Sequence, residues 1–516
     1  MLLDNITQPF IKEFKGDYSM NPMQRQTVGM LYSIVEPSHM PDATLLEFNR
    51  EFSLEVGLGN LVENKNDEAF LNAQFIPSHL KPYATAYAGH QFGNWAGQLG
   101  DGRAIFAGEI SSQGMPSYEL QWKGAGATPY SRHADGRAVL RSTVREYLIS
   151  EAMHHLGVPT TRSLSISLTG ENVLRDKRYS GDAKYESGAL MMRAAESFLR
   201  FGHFELVSSW GDVHLLEKLV QYSARRYFPE LNHLSGEELY LEWFREIQRR
   251  SINLVCEWYR VGFVHGVLNT DNMSILGLGI DYGPFSMLDE YDLSFTPNTT
   301  DLPGRRYAFG EQGRIFQWNL LQLANAISPL FSSVESVEEV INDFPEQFWS
   351  SHDEMLRRKF GFEEALENDT VFFRKWQKIM QDFKLDYSLF FEILESIPEN
   401  EINSQLFRDA MYQEPDLPQV DVLNTFLKEY WARKSKNKIS DQDSKIMMIK
   451  ANPKFILRNY LLFECIEALE KGDRTLFNQL STAIKTPYSL ERSVSNVRRP
   501  SGYEGVFGCS QLSCSS

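Results

Sequence analysis

Cysteine is scarce in this sequence: 516 residues contain only Cys256, Cys465, Cys509 and Cys514. So few thiols exclude a fold stapled by disulfides and fit a reducing compartment. Long apolar runs are lacking too. Even residues 320–327 are broken by Gln and Asn, far short of the roughly 18 apolar residues of a membrane span. Residues 1–15 carry Asp4 and Glu13 and lack the basic start and apolar core of a signal peptide, so a cytoplasmic location is expected. Positive charge is in deficit, with 52 Lys and Arg against 68 Asp and Glu, a net charge of −16. A surface of that sign repels phosphate backbones and anionic lipid, which removes nucleic acid and membranes as expected partners. Any polyanion bound here must meet a local cluster of arginine and lysine.

What is present is the material of a folded protein. Hydrophobic residues make up 42%, with 34 Phe, 22 Tyr and 9 Trp, against 23% charged. At roughly 150 residues per domain, the length predicts two to three lobes with room for a cleft between them. Residues 1–83 read as an irregular leader. From residue 84 the glycines crowd together in YAGHQFGNWAGQLGDGRA, followed by β-type runs at 104–110 and 117–123 around the turn-like SSQGMP. Residues 137–156 carry Leu140, Val144, Tyr147, Leu148 and Ala152 at helical spacing and end at Gly157 and Pro159, so a strand and then a helix frame Lys123. The pattern turns helical after about residue 205, where Ser235 and Glu238 form an expected capping box. Residues 273–278 and 279–282 read as short strands around a turn. The expected divisions are a leader (1–83), a smaller β-containing nucleotide-binding lobe (84–204), a larger helical lobe with the catalytic loop (205–414), a helical subdomain (415–494) and a flexible cysteine-containing tail (495–516).

Four constellations carry chemistry. His265 opens HGVLNTDN, and Asp281-Tyr282-Gly283 begins nine residues after Asn272. Phosphotransfer enzymes place a metal-binding Asn in a catalytic loop and a metal-binding Asp in a following turn, because Mg²⁺ takes oxygen ligands and phosphate oxygens together. Asn272 and Asp281 fit those two tasks, although either motif alone is an ordinary turn. Kinases carry an Asp two residues after this His, and here that position is Val267. Valine accepts no proton, which leaves Asp271 as the nearest base, with a second metal ligand or a loop cap as its alternative roles. Lys123 and Glu146 form the second constellation, a strand lysine oriented by a helix glutamate. Glu151 competes; five residues of helix set it roughly 140° from Glu146, so both cannot face one lysine, and Glu146, which precedes the apolar pair Tyr147-Leu148, is the expected partner. Third, Gly100, Gly102 and Arg103, with Asp135 and Gly136, can bring backbone N–H groups and a guanidinium to phosphates. Fourth, Arg193 and Arg200 stand seven apart, on one face if that segment is helical, as an anion clamp or as structural partners of Glu196 or Glu205.

These segments, with ELQWKGAGATPYSRHADGRAVLRSTVREYLISEA and MMRAAESFLRFGHFE, resemble the selenoprotein O (YdiU) family of pseudokinases. The resemblance implies an α+β, protein kinase-like two-lobed fold that binds ATP in an inverted orientation and transfers AMP to Ser, Thr or Tyr hydroxyls of proteins. Carried over by motif, Gly100, Gly102, Arg103, Lys123, Asp135, Gly136, Arg193, Arg200 and Asp281 would hold the nucleotide, with Glu146 pairing Lys123. Asn272 and Asp281 would bind Mg²⁺, with Mn²⁺ as the alternative, and Asp271 would accept the proton. An ordinary kinase and a non-catalytic ATP-binding scaffold are the rival readings. Family tails often end in Cys-selenocysteine-Ser-Ser, and Cys514 stands where selenocysteine would. A tail disulfide to the loop after the DYG turn is unexpected here, because residues 291–305 contain no cysteine. Cys509 lies five residues before Cys514, which leaves a local tail disulfide as an alternative, with two free thiols on a flexible tail the plainer expectation.

Overall fold

Strand-forming runs dominate the first two hundred residues, and in the computed structural model they assemble into one main sheet. The structure describes residues 2–111, 116–176, 181–491 and 493–513. The strands are β1 (Gly16–Asp17), β2 (Tyr32–Ile34), β3 (Thr44–Phe48), β4 (Tyr83–Thr85), β5 (Ala88–Gln91), β6 (Asn94–Gln98), β7 (Ala104–Ile110), β8 (Tyr118–Lys123), β9 (Ala138–Val139), β10 (Arg162–Arg175) and β11 (Lys184–Ala195). The sheet runs β1-β2-β4-β7-β8-β11-β10-β3, with β9 also paired to β11, while β5 and β6 form a hairpin of their own. The predicted β7–β8 hairpin is present, with Ala104 opposite Lys123; four residues of its SSQGMP turn lie outside the described residues.

Residues expected as an irregular leader contribute β1, β2 and β3 to this sheet and cover one of its faces. Trp122 points from β8 into that cover, where its ring meets Phe70 at 5.1 Å and its indole N–H donates to the Phe70 carbonyl at 2.8 Å. The alternation of a strand then turns Gln121 and Lys123 to the opposite face, toward the predicted helix, which spans Leu140–His155. That helix is buried on nearly all sides, not along one stripe. Most of its buried charges are paired, Arg141 with Glu186, Glu151 with Arg162, and Glu146 at the site described below; Arg145 instead donates to the Phe285 carbonyl at 2.9 Å and lies over the Phe285 ring.

Beyond residue 200 the chain is mainly helical. The longest helix, Gly236–Val261, ends at Gly262, whose φ of 75° is a left-handed cap. Ser235 does occupy its N-cap, but the side chain makes no capping hydrogen bond there, so the expected capping box does not form. Residues 273–282 also differ from expectation. Their backbone groups are spent elsewhere, Met273 C=O and Ile275 N–H on Phe201 and Leu199, and Gly279 on Pro159 and Thr161. Only isolated bridges result, and a short ladder forms instead between β12 (Phe263–Val264) and β13 (Ser286–Met287). The loop is thereby stitched to the sheet region. Among the described residues no helix is long and apolar enough to cross a membrane.

The tail packs on the body through residue 513. Leu512 exchanges backbone hydrogen bonds with Pro297 and Thr299, at 2.9 and 2.8 Å, and Cys509 is buried, its thiol pushed up to about 12 by that burial. Cys509 is a free thiol, as expected, but it is buried against the body; Cys514 lies outside the described residues. The anchor of this region is Arg458, whose guanidinium meets Asp386 at 2.9 and 3.0 Å and Asp289 at 2.8 Å, while Arg499 meets Asp289 at 3.0 Å. Replacing Arg458 with Met leaves Asp386, fully buried, without its cation. The expected loss is about 3–5 kcal/mol of unfolding free energy in chemical denaturation; a variant as stable as the parent would show that the network contributes no net stability.

Candidate active site

Lys123 closes β8 with its side chain facing the Leu140–His155 helix. Its ammonium meets Glu146 at 2.5 Å and Asp281 at 2.9 Å. The helical rotation worked out from the sequence holds: Glu151 turns away to Arg162, Asn49 and the Ser163 N–H. Arg193, in β11 and opposite Gln121 in register, donates to Glu146 at 2.9 Å and to Asp281 at 2.6 Å. Arg200 donates to the second oxygen of Asp281 and, at 2.9 Å, to the Asp271 carbonyl.

The two arginines do not share a helix face. Arg193 sits on a strand and Arg200 caps the helix Phe201–Ser209, where its N–H donates to His203 Nδ1 at 3.0 Å. The hydrophobic sequence between them bends from strand to helix, and the bend aims both guanidinia at one carboxylate. Glu205, a rival partner, is taken by His90 at 2.5 Å.

Asp281 is the meeting point. Burial by itself would raise its pKa, but Arg200, Lys123 and Arg193 together hold it well below the usual carboxylate range. Its φ of 56° lies in the left-handed region, strain of the kind that clusters at functional sites. His265 fixes this turn from below: its ring stacks on Trp258 at 5.4 Å, Nδ1 accepts from Val267 N–H at 3.3 Å, and Nε2 donates to the Ile280 carbonyl at 2.9 Å. Asn272 gives its side-chain N–H to the Val267 carbonyl at 3.0 Å, which turns its amide oxygen to other use. Asp271 is buried, its pKa pushed up to about 6 by that burial and restrained by a hydrogen bond from Gln91.

Every residue predicted to hold nucleotide or metal or to accept the proton lines a single cleft of about 800 Å³. Glu146 stands behind it. Arg103 and Asp135 are exposed at the rim, Asp135 facing Arg175 at 2.7 Å. Gly136 has a φ of 66°, and a Cβ there would fall 2.0 Å from the Gly126 carbonyl, so only glycine fits. Sequence reasoning missed Asp101, buried 3.7 Å from Arg200, and Arg132 and His133, two consecutive left-handed residues on the cleft wall. It also missed Gln91. The HQ pair in the glycine-rich segment was visible, but nothing in its spacing points to Asp271.

Three buried cations gathered on two carboxylates, beside a loop that offers an amide oxygen and a further carboxylate, make the cleft of an enzyme that handles a polyanion. The chain belongs to the SelO family: the family model described as Protein adenylyltransferase SelO matches residues 17–485. It is 45% identical over 515 residues to the Protein nucleotidyltransferase YdiU of Cytophaga hutchinsonii, covering 99% of this chain and 98% of the relative. The proteins of that name from Aromatoleum aromaticum and Xanthomonas euvesicatoria are each 43% identical, over 524 and 502 residues, with 100% and 96% of this chain covered and 99% and 96% of the relatives. The chain is accordingly an enzyme of the nucleotidyltransferase class, with ATP the substrate that the family implies.

Removing the Asp281 carboxylate leaves three buried cations sharing Glu146 and Asp101. Asp281→Ala is expected to lower the melting temperature of the free protein, and pyrophosphate to restore more of it than it adds to the parent. Equal melting temperatures without ligand would show that the cations are not held by Asp281.

Proposed function

We propose that the chain transfers AMP from ATP to Ser, Thr or Tyr hydroxyls of proteins, within a two-lobed, protein kinase-like fold. The observation that carries this reading is the convergence of Lys123, Arg193 and Arg200 on one point, a charge density suited to a departing pyrophosphate. Val267 supports it, since the position of the kinase base holds a side chain that cannot take a proton.

In the proposed reaction the acceptor hydroxyl oxygen attacks the α-phosphorus. A new P–O bond forms there as the bond from the α-phosphorus to the oxygen bridging toward the β-phosphorus breaks. Pyrophosphate departs with the bonding pair, held by Lys123 and the two arginines. The hydroxyl proton passes to Asp271. Gly100, Gly102, Gly136, Arg103 and Asp135 shape the rest of the nucleotide cleft, and Glu146 keeps the Lys123 ammonium aimed into it.

The donors fit a hard divalent cation: Asn272 and Asp281 offer an amide and a carboxylate oxygen, and the Asn272 N–H is already committed to Val267. Among the described residues no cluster of three or more His, Cys, Asp or Glu could hold a metal unaided, which suits Mg²⁺ or Mn²⁺ shared with phosphate oxygens. Bound there, the ion would supply charge neutralisation at the reacting phosphate.

Intact-mass measurement after incubation with Mg-ATP tests the reaction without knowledge of the acceptor protein, because AMP and phosphate add different masses. AMP addition is expected; phosphate addition alone, or retention of label only from the γ-position, would make the chain an ordinary kinase. Asp271→Ala is expected to slow transfer roughly 10²- to 10⁴-fold, and a near-normal rate would reassign the base.

A further inference from the structure

The hairpin of β5 and β6 stands apart from the main sheet, and β5 lies along the catalytic loop. His90 N–H donates to Thr270 Oγ1 at 2.7 Å; Phe92 N–H donates to Asn269 Oδ1 at 3.2 Å and to the Tyr307 oxygen at 2.9 Å. The alternation of a strand sets residues 89 and 91 on a common side, and both meet Asp271. A Cβ on Gly89 would fall 2.8 Å from Asp271 Oδ1. Gln91 Nε2 donates to Asp271 Oδ2 at 3.1 Å. The strand therefore bounds the carboxylate at both oxygens, one by close backbone approach and one by a hydrogen bond.

The contact at Oδ1 is not a comfortable one. That oxygen is buried without a hydrogen-bond partner, a condition that favours rotation of the side chain toward another donor. Gln91 opposes the rotation. Its own amide oxygen lies 3.5 Å from Arg132 Nη1, so the glutamine spans the cleft mouth from the catalytic loop to the β8–β9 loop. Gln91 lines the cleft, and its side-chain hydrogen bonds go to Asp271 and Arg132, not to Lys123, Arg193, Arg200 or Asp281, the groups proposed to face the phosphates.

We propose that Gln91 is a positioning residue for the proton acceptor, its side-chain amide holding the Asp271 carboxylate against Gly89 in the one orientation that an incoming hydroxyl meets. The inference rests on Asp271 being that acceptor. Gln91 acts on the acceptor half of the reaction and leaves nucleotide binding alone.

Gln91→Met keeps the length of the side chain and removes the donor. With α-labelled ATP and self-modification as the readout, the maximum rate is expected to fall roughly 10- to 100-fold, the loss that a misplaced reacting group brings, while the half-saturating ATP concentration and melting temperature stay at the parent's values. In an Asp271→Asn background the same change is expected to cost nothing further. A parent-like rate for Q91M, a raised half-saturating ATP concentration, or an equal loss in the D271N background would each overturn the proposal. A crystal structure of Q91M decides independently of any activity: a turned Asp271 carboxylate supports the inference and an unmoved one overturns it. Should D271N itself transfer AMP at the parent rate, the assignment of the base fails, and the orientation of Asp271 in Q91M still judges Gln91.

Discussion

Asp281 shares one carboxylate among Lys123, Arg193 and Arg200, and the site depends on that sharing. Three cations buried side by side repel one another and have each lost their hydration, a combination tolerated only where anions of matching geometry answer them. Glu146 answers from the helix and Asp281 from the loop, so β8, the Leu140–His155 helix, β11 and the turn at 281 are drawn to one point by charge as much as by packing. A triphosphate is chemically suited to take over the same cations, and a divalent cation to take over the same carboxylate. Within the fold these cations and carboxylates satisfy one another.

That ionic junction would be of little use if the loop carrying Asp281 could drift. Backbone hydrogen bonds from 273–279 to 159–161 and 199–201 join it to the sheet region, and His265 clamps Ile280 from the opposite side. Farther out, Leu512 lies against Pro297 and Thr299, and Asn298 donates to the Gly266 carbonyl at 3.0 Å. The tail is therefore two contacts away from the loop that carries Asp271 and Asn272. The Gly and Ser content of the tail describes local propensity and is silent on what the segment packs against.

Local periodicity made part of the site legible. The strand ending at Lys123 and the helix carrying Glu146 both follow from apolar spacing, and the 100° step of a helix excludes Glu146 and Glu151 from facing one lysine together, while the apolar pair Tyr147-Leu148 favours Glu146. The relation of Asn272 to Asp281 is a short spacing within one loop. Arg193 and Arg200 stand out by residue type, but a shared face required the segment between them to be helical, and a short segment of that kind reads equally as helix or strand; it is strand and bend. The capping box at Ser235 failed for a similar reason: the motif states what the side chains can do, and the local geometry did not use it.

What the sequence by itself determined is chemistry set by residue type and near spacing: a valine at 267 that can take no proton, the lysine–glutamate pair, the oxygen-bearing side chains of residues 269–272, and membership of a family. Only the tertiary structure decided which charges meet. Asp281 lies 158 residues from Lys123 and 88 from Arg193, and Gln91 lies 180 from Asp271. No periodicity spans such distances. Ion pairs and hydrogen bonds of that kind form because packing brings two faces together, and the energy of each depends on a burial that one segment alone does not encode.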